Sequence, residues 1–352
     1  MSSDGVLQID LTLDEDNLEE GALALLKSVR PGWKQDEIKF KVFTAGISNK
    51  LIGGYLPENK SDMVLVRIYG KKTELLIDRE AEIRTFVLLH KAGCGAELYA
   101  RCNNGLCYEY IPGVILDAKT VREERVYRLI IKEMIKMHSI KPQDGVATSP
   151  CLFRLIDKWL SILPDKFEDE EKQDRYVRTI ASKEKLRQEV SQLKSVLTCL
   201  ATPTVFCHND NLLANIIFDE QKDKVSFIDY EYAGYNYQAF DIGNHFCEFA
   251  GVEEVDYNLY PEKDFQIRWL REFLTTQNKA NNIQKEITEK DLETLYVTVN
   301  KFALAAHMFW GIWALMQAHY STIDFDFLDY SKQRLDEYFR RKEAFLALSV
   351  PK

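Results

Sequence analysis

The chain has 352 residues, of which 46% are hydrophobic and 29% are charged, with 16 glycines and 9 prolines. This composition excludes a disordered, collagen-like or low-complexity protein and provides ample material for a core. The net charge is −9, from 46 basic and 55 acidic residues, which argues against general binding to nucleic acid or to an anionic membrane surface. We therefore expect a globular protein of one large or two ordinary domains, with no nucleic-acid partner.

Several features bear on where the protein works. The seven cysteines are odd in number and follow no zinc-ligand spacing, so reduced thiols in a cytosolic protein are the simplest interpretation. Residues 1–20 are acidic and lack the basic and apolar regions of a signal peptide. The longest apolar run, Phe302 to Met316, is shorter than the about 20 residues of a membrane-spanning helix. We expect a cytoplasmic protein without stable membrane insertion.

In chain order, the first patterned region lies between Asp36 and Ile111 and has mostly strand character. Alternating and apolar runs predict strands over residues 38–44, 51–56 and 63–69, with Arg67 on one face of the third strand. A helical period follows over 75–92. Two further strands, 98–100 and 106–111, are then joined by a turn containing Asn-Gly. Pro112-Gly113 ends the region.

From Thr120 onward helices dominate, and the apolar spacing predicts them over 121–138, 153–163, 183–200, 265–277, 293–317 and 328–347. One strand–turn–strand unit, residues 204–230, interrupts them. We therefore predict an α+β, bilobal architecture. It has an acidic, helical extension (1–33), a small β-rich lobe (34–112) and a larger, mostly helical lobe (113–352). A cleft between two lobes is a usual place for ligands.

The sharpest motif lies inside that strand unit. His208, Asp210 and Asn215 form the pattern H-x-D-x-x-x-x-N, and a second hydrophobic strand then ends at Asp229. This matches the catalytic loop of protein kinases and the metal-binding Asp that follows it. Phosphoryl transfer needs a carboxylate to orient the attacking hydroxyl and accept its proton, and oxygen ligands for Mg²⁺. We interpret Asp210 as the base, Asn215 and Asp229 as metal ligands, and His208 as a brace.

The alternative for this motif is a pair of turns whose Asp and Asn side chains only cap the local backbone.

Upstream, the turn at Gly46 to Asn49 is placed to lie over phosphates, although a single glycine in a hairpin is usually only a turn. Arg67 occupies the strand position where the kinase pattern has Lys, and Glu82 lies on the next helix. We predict an Arg67–Glu82 pair. The alternative is a surface Arg on an edge strand.

A third group of residues concerns the phosphate acceptor. If the second half of the tyrosine-rich segment 229–248 is helical, Asp241, His245 and Glu248 share one face, but no cysteine or second histidine completes a zinc site. Trp310 and Trp313 lie one helical turn apart. Aromatic faces together with a carboxylate suit an organic cation, whereas a bulky aromatic stripe on a helix is more often plain core.

Taken together, these segments resemble the choline/ethanolamine kinase family, and its ethanolamine-specific members most closely. The most specific stretches are Ile228 to Tyr257 and Lys301 to Tyr330. The resemblance implies a bilobal protein-kinase-like fold with ATP and Mg²⁺ between the lobes. It also implies transfer of the γ-phosphate to the hydroxyl of ethanolamine, the first step of the CDP-ethanolamine route to phosphatidylethanolamine.

By position in these segments, the resemblance also implies individual roles. The catalytic base is Asp210, and the magnesium ligands are Asn215 and Asp229. The ATP-contacting residues are Ala45, Gly46, Ile47, Ser48, Asn49, Lys50, Leu51, Arg67, Glu82, Glu109 and Ile111. The wall of the ammonium pocket consists of Glu248, Trp310, Trp313, Phe327 and Tyr330.

The sequence departs from the family at three positions. Glu253 and Phe327 stand where choline kinases have tyrosines, which disfavours choline, and Ala214 replaces a Lys of familiar ethanolamine kinases. Rival interpretations are a choline kinase, a kinase for another hydroxyl substrate such as an aminoglycoside, methylthioribose or a fructosamine, and an inactive kinase fold that serves as a binding scaffold. Arg67 in place of Lys is the feature that suggests the scaffold. A homodimer is compatible with the sequence.

Overall fold

The computed structural model describes residues 5–14, 16–43, 49–70, 73–142 and 148–349. Its small lobe is built on one sheet, and the strand order in that sheet is β1-β5-β6-β4-β3-β2. The strands are β1 (Leu7–Gln8), β2 (Lys39–Phe43), β3 (Asn49–Leu56), β4 (Asn59–Tyr69), β5 (Leu98–Cys102) and β6 (Gly105–Glu109). The predicted Asn-Gly turn joins β5 to β6.

The two faces of β4 are buried differently. Val64 and Val66 point into a cluster with Leu25 of helix α1 (Leu18–Val29), whereas Leu65 and Arg67 line the cleft. Helix α2 (Arg79–Lys91) begins at an Asp cap and is packed against the sheet. The segment predicted as an N-terminal extension therefore contributes α1 and β1 to the packing of the small lobe.

The larger lobe is mostly helical, as predicted. Its helices are α3 (Glu124–His138), α4 (Leu152–Ile162), α5 (Glu170–Thr179), α6 (Lys183–Leu197), α7 (Gln238–Cys247), α8 (Lys263–Ala280), α9 (Glu289–Tyr320) and α10 (Phe327–Ala347). All six helices predicted for this lobe are present, with ends shifted by a few residues. The sequence analysis did not predict α5.

The predicted strand–turn–strand unit needs a correction, because its strands belong to two separate sheets. β8 (Thr204–Cys207) pairs with β11 (Gly234–Tyr237), whereas β9 (Ile216–Asp219) pairs with β10 (Lys224–Phe227) and with β7 (Val114–Ile115). The loop from 208 to 215 thus runs from one sheet to the other. This arrangement fixes both of its ends.

Two glycines permit close approaches that position the cleft. Gly113, in the connector between the lobes, has φ 144°, and a Cβ there would lie 2.7 Å from the carbonyl oxygen of Phe218. At Gly243 the backbones of α7 and α9 touch, because a Cβ would lie 2.8 Å from the carbonyl oxygen of Val299. Neither position has room for a side chain.

All seven cysteines are free thiols, and six of them are buried. Among the described residues, none of the helices combines the length and the apolar character that a membrane span requires.

Candidate active site

The loop after β8 is held by side-chain hydrogen bonds to its backbone. Asn209 adopts φ 67°, a left-handed conformation that asparagine tolerates better than most residues. Its backbone N–H donates to Asp241 Oδ1 at 2.8 Å, and its side-chain amide donates to the carbonyl of Tyr232 at 2.8 Å. Asp241, on α7, also accepts from Asn211 Nδ2 at 2.7 Å and lies 2.8 Å from His138 Nε2. A buried carboxylate therefore sets the shape of this loop.

His208 braces the same loop, as predicted. Its Nε2 lies 2.9 Å from the carbonyl oxygen of Ile228, and the backbone N–H of Asp210 donates to its Nδ1 at 3.3 Å. The ring joins the loop to the residue just before Asp229. Burial lowers the pKa of His208.

Asn215 and Asp229 line the cleft, and Asp210 lies against Asn215. Asn215 Nδ2 donates to Asp210 Oδ2 at 2.9 Å, and the backbone N–H of Ile228 donates to the carbonyl of Asn215 at 2.9 Å. Asp229 has φ 62°, which turns the chain at the end of the strand. Asn215 bonds the side chain of Asp210 as well as its backbone carbonyl, so it does more than cap the local backbone, and the charge of Asp229 acts on Asp210.

Negative charge is concentrated around Asp210. Burial raises the pKa of Asp210 well above its usual range, and the charges of Asp229, Glu248 and Glu231 raise it further, while the Asn215 hydrogen bond opposes them. Such a cluster of carboxylates fits a site that receives cations. Asn215 donates its amide nitrogen to Asp210, which leaves its amide oxygen as a candidate metal ligand, and Asp229 offers Oδ2 beside the Oδ1 that accepts from Arg67. Hard oxygen donors of this kind suit Mg²⁺.

Arg67 is paired as the sequence predicts. It is 3% exposed, it contacts Glu82 through NH2, and its NH1 donates to Asp229 Oδ1 at 2.9 Å. Arg79 NH1, on the same helix as Glu82, lies 2.8 Å from Glu82 Oε2 and 3.3 Å from Glu231 Oε2. The alternative of a surface Arg on an edge strand is wrong, since β4 lies inside the sheet.

A cavity of about 270 Å³ adjoins this network between the lobes. Of the residues predicted to contact ATP, Leu51, Arg67, Glu109 and Ile111 line it, together with Asn215, Asp229 and Ala214. Sequence reasoning missed much of its apolar and aromatic lining, which includes Phe86, Tyr108, Ile217 and Ile228. Ala45, Gly46, Ile47 and Ser48 lie outside the described residues, and Asn49 and Lys50 begin β3.

The predicted aromatic residues form one group. The rings of Trp310 and Trp313 lie 5.4 Å apart in a T-shaped arrangement, and Phe327 lies 5.8 Å from Trp313. Each indole has a polar partner, because Trp310 Nε1 donates to Asn244 Oδ1 at 2.8 Å and Trp313 Nε1 donates to the Tyr232 hydroxyl at 2.6 Å. The indoles are buried, as core residues are, but their N–H groups are oriented by Tyr232 and Asn244, which both follow Asp229 in the chain.

Glu248 lies at the end of α7 and is 2% exposed. Arg334 NH1, on α10, donates to Glu248 Oε1 at 3.0 Å, and Arg334 itself is fully buried. Burial raises the pKa of Glu248, while Arg334 acts against that rise. Since the charge of Glu248 contributes to the raised pKa of Asp210, the two carboxylates share one electrostatic environment.

The zinc trio considered from the sequence is not assembled. Asp241 is engaged with His138 and the loop, and Glu248 with Arg334. Among the described residues, the acidic, histidine and cysteine side chains that come close enough to share a metal are instead His138, Cys207 and Asp241, all of them buried.

Comparison with known proteins agrees with this geometry. Residues 40–339 match the profile of choline/ethanolamine kinase. The chain belongs to the choline/ethanolamine kinase family. It is 48% identical to human ethanolamine kinase 1 over 96% of this chain and 75% of that protein, and 47% identical to human ethanolamine kinase 2 over 99% and 87%.

Solved structures of the family have the same fold. A Plasmodium vivax ethanolamine kinase superposes with a TM-score of 0.79 at 26% identity, covering 92% of this chain and 89% of that one. A choline kinase from Cryptosporidium parvum superposes with a TM-score of 0.74 at 22% identity, covering 93% and 96%. The predicted bilobal kinase fold is confirmed.

The three departures from the family pattern lie in different surroundings. Phe327 is buried beside Trp313, and Ala214 lines the cavity between the lobes, whereas Glu253 is exposed. Tyr232 and Arg334 are the neighbours that sequence reasoning missed. Tyr232 could have been found from the sequence, because it follows Asp229 by only three residues. No pattern in the sequence pointed to Arg334.

Proposed function

We propose that the protein is an ATP- and Mg²⁺-dependent ethanolamine kinase whose product is phosphoethanolamine. The observation that carries the proposal is the position of Asp210. It is hydrogen-bonded to Asn215 and lies within the electrostatic influence of both Asp229 and Glu248. One base thus lies near both Asp229, which would hold a cation at the phosphates, and Glu248, a carboxylate that would receive the ammonium group. The relatives in the comparisons carry the same activity in their names.

The chain's own groups account for the transfer. The hydroxyl oxygen of ethanolamine attacks the γ-phosphorus, the bond to the bridging oxygen breaks, and ADP leaves. Asp210 orients the hydroxyl and takes its proton, while Arg67, held by Glu82, faces the phosphates. Mg²⁺, held by Asn215 and Asp229, would neutralise charge on the transferring phosphate. Asp210, Arg67 and the two metal ligands would therefore all be needed for the same transfer step.

The choice of ethanolamine over choline follows from hydrogen bonding. A primary ammonium has three N–H donors that lose water on entering the site, whereas choline has three methyl groups and no donor. A buried donor without a partner costs about 1–3 kcal/mol, and more when charged, so an ethanolamine site must offer acceptors. Glu248 is a buried acceptor four residues after Asn244, the hydrogen-bond partner of Trp310, and the aromatic wall alone would separate the two cations poorly.

The decisive experiment measures ADP release and product mass for the purified protein with ethanolamine, choline and an aminoglycoside, with and without Mg²⁺. We expect Mg²⁺-dependent formation of phosphoethanolamine and a strong preference for ethanolamine. Equal efficiency with choline would overturn the substrate, and ATP binding without turnover of any acceptor would favour the scaffold.

The pathway and the location belong to the same proposal. Phosphoethanolamine formed in this way would enter the CDP-ethanolamine route to phosphatidylethanolamine. Six buried free thiols suit the reducing cytoplasm, where we propose that the protein works. Fractionation of cells that express a tagged chain tests this location. The homodimer stays a prediction.

A further inference from the structure

Arg334 is a buried cation for which the proposed reaction has so far no use. Its side chain is fully buried in α10, and its NH1 donates to Glu248 Oε1 at 3.0 Å. Among the described residues, its Nε and NH2 have no hydrogen-bond partner. A guanidinium cannot shed its charge inside a protein, and burying a charge costs several kcal/mol unless it is paired. Such a residue is a poor choice for filling a core.

The position of Arg334 is tied to the aromatic wall. Phe327, Tyr330 and Arg334 follow one another at helical spacing on α10, and the guanidinium carbon lies 5.8 Å from the ring of Tyr330. Ser331 Oγ donates to the carbonyl of Gly311 at 2.8 Å, which fixes α10 against α9 between the two tryptophans. One helix therefore carries both part of the wall and the partner of Glu248.

The pair has a particular electrostatic character. Without a cation beside it, a carboxylate as buried as Glu248 would take up a proton and lose its charge. Arg334 acts against the rise in the pKa of Glu248 that burial causes, and when both groups are ionised the pair as a whole is close to neutral. It therefore attracts a bare positive charge weakly. A carboxylate has about four lone-pair positions, so Glu248 can still accept from a substrate N–H while it accepts from Arg334.

We propose that Arg334 is a positioning residue that holds Glu248 as a directional acceptor, so that the pocket selects ammonium groups with N–H donors over quaternary ammonium. This inference rests on the proposed ethanolamine kinase function. Because the near-neutral pair favours hydrogen bonding over charge alone, Arg334 sets the preference between ethanolamine and choline without touching either substrate.

The test compares Arg334→Met, Glu248→Gln and the double variant. Arg334→Met should lower kcat/KM for ethanolamine by about 10- to 100-fold, the range for a hydrogen bond to a charged group, and leave the KM for ATP unchanged. The ratio of kcat/KM for ethanolamine to that for choline should fall. If Arg334 acts through Glu248, the double variant is no worse than Glu248→Gln alone, whereas independent roles would add.

Arg341→Met is the matched control. Arg341 lies on the same helix and pairs with Glu337 rather than with Glu248, so its loss should leave the substrate ratio unchanged. Should Arg334→Met not fold, Arg334→Lys carries the same test: it lowers the ratio in the wild-type background and changes nothing further in the Glu248→Gln background.

The outcomes separate the inference from the function beneath it. A wild-type protein that does not phosphorylate ethanolamine overturns the proposed function. A wild-type protein that does, with a substrate ratio unaltered in Arg334→Met or with additive losses in the double variant, overturns the role of Arg334 alone.

Discussion

A buried arginine–glutamate contact lies on each side of Asp210. In the nucleotide half, Arg67 contacts Glu82, and their side chains are 4% and 0% exposed. In the amino-alcohol half, Arg334 contacts Glu248, with exposures of 0% and 3%. In the first pair the cation reaches onward to Asp229 in the cleft, whereas in the second the carboxylate is the member that influences Asp210.

The difference is one of role rather than of composition. In the proposed function, Glu82 holds a cation for an anionic ligand, and Arg334 holds a carboxylate for a cationic one. The first pair is also part of a larger network, since Arg79 bonds to Glu82 and Glu231. Under this proposal, the same two residue types would serve opposite ligands, depending on which member faces the reacting groups.

The largest expected effect comes from Asp210, which serves both halves. Asp210→Asn removes the proton acceptor and should lower kcat by about 10²–10⁴-fold, since that is what a positioned general base contributes. ATP and ethanolamine should still bind, as calorimetry would measure. Asp223→Asn, an exposed turn residue that also has positive φ, is the matched control. Retention of most activity by folded Asp210→Asn would refute the assignment.

A smaller effect should follow from removing the carboxylate that holds Arg67. Glu82→Gln should lower kcat/KM for ATP by about 10- to 100-fold, because a hydrogen bond to a charged group is lost. The KM for ethanolamine should change little. Glu80→Gln, on the same helix but with an exposed side chain paired to Arg101, should behave as wild type. Equal shifts in both KM values would show that the two halves are not separable.

The aromatic wall should matter less than either pair. Trp310→Leu removes a cation–π contact worth about 0.5–2 kcal/mol, so the KM for ethanolamine should rise by about 2- to 30-fold. Trp310→Phe keeps an aromatic face, so its KM for ethanolamine should lie between that of the wild type and that of Trp310→Leu. Steady-state kinetics with ethanolamine varied at saturating ATP measure both. An unchanged KM in Trp310→Leu would mean that the indole is only core.

The smallest effect on activity belongs to a third buried carboxylate, outside the cleft. Glu189 accepts from Tyr338 at 2.8 Å and from Lys342 at 2.5 Å, and it pairs with Lys185. Burial raises the pKa of Glu189, but these hydrogen bonds outweigh it and lower the pKa to about 2. Its contribution to stability is therefore present above the unfolded pKa of 4.5 and is lost as the pH falls toward 2.

Glu189→Gln tests this assignment with thermal melts across that range. The Tm difference from wild type should be largest near neutral pH and should shrink on acidification. The kcat of the variant should equal that of the wild type. A difference that is independent of pH would contradict the ionised pair.

Periodic elements were predictable because their signal is local. The apolar spacing predicted α9 and α10, and the alternation in β4 predicted correctly that Arg67 faces away from Val64 and Val66. Helix α5 was missed because only Tyr176 is buried in it, so it has no apolar stripe. The pairing of β8 with β11 was missed because it joins two four-residue strands across an intervening hairpin.

The candidate site was predictable where spacing along the chain carries the chemistry, as for Asp210, Asn215 and Asp229. Arg334 was not, because an arginine in a polar helix usually faces solvent. Its burial depends on Glu248, which lies 86 positions earlier in the chain. Asp241 likewise looked like one member of a zinc trio until the fold placed it under the loop from 208 to 215.

The contact at Gly243 has a consequence for how this pocket can change its substrate. Helix α7 carries Asp241 and leads to Glu248, α9 carries Trp310, and at Gly243 only backbone separates the two helices. Because Gly243 has no side chain that could be made smaller or larger, substitutions there cannot change in small steps the distance between the loop from 208 to 215 and the aromatic wall. We expect room for new acceptor molecules to come instead from α10, where the side chain of Phe327 lies beside Trp313.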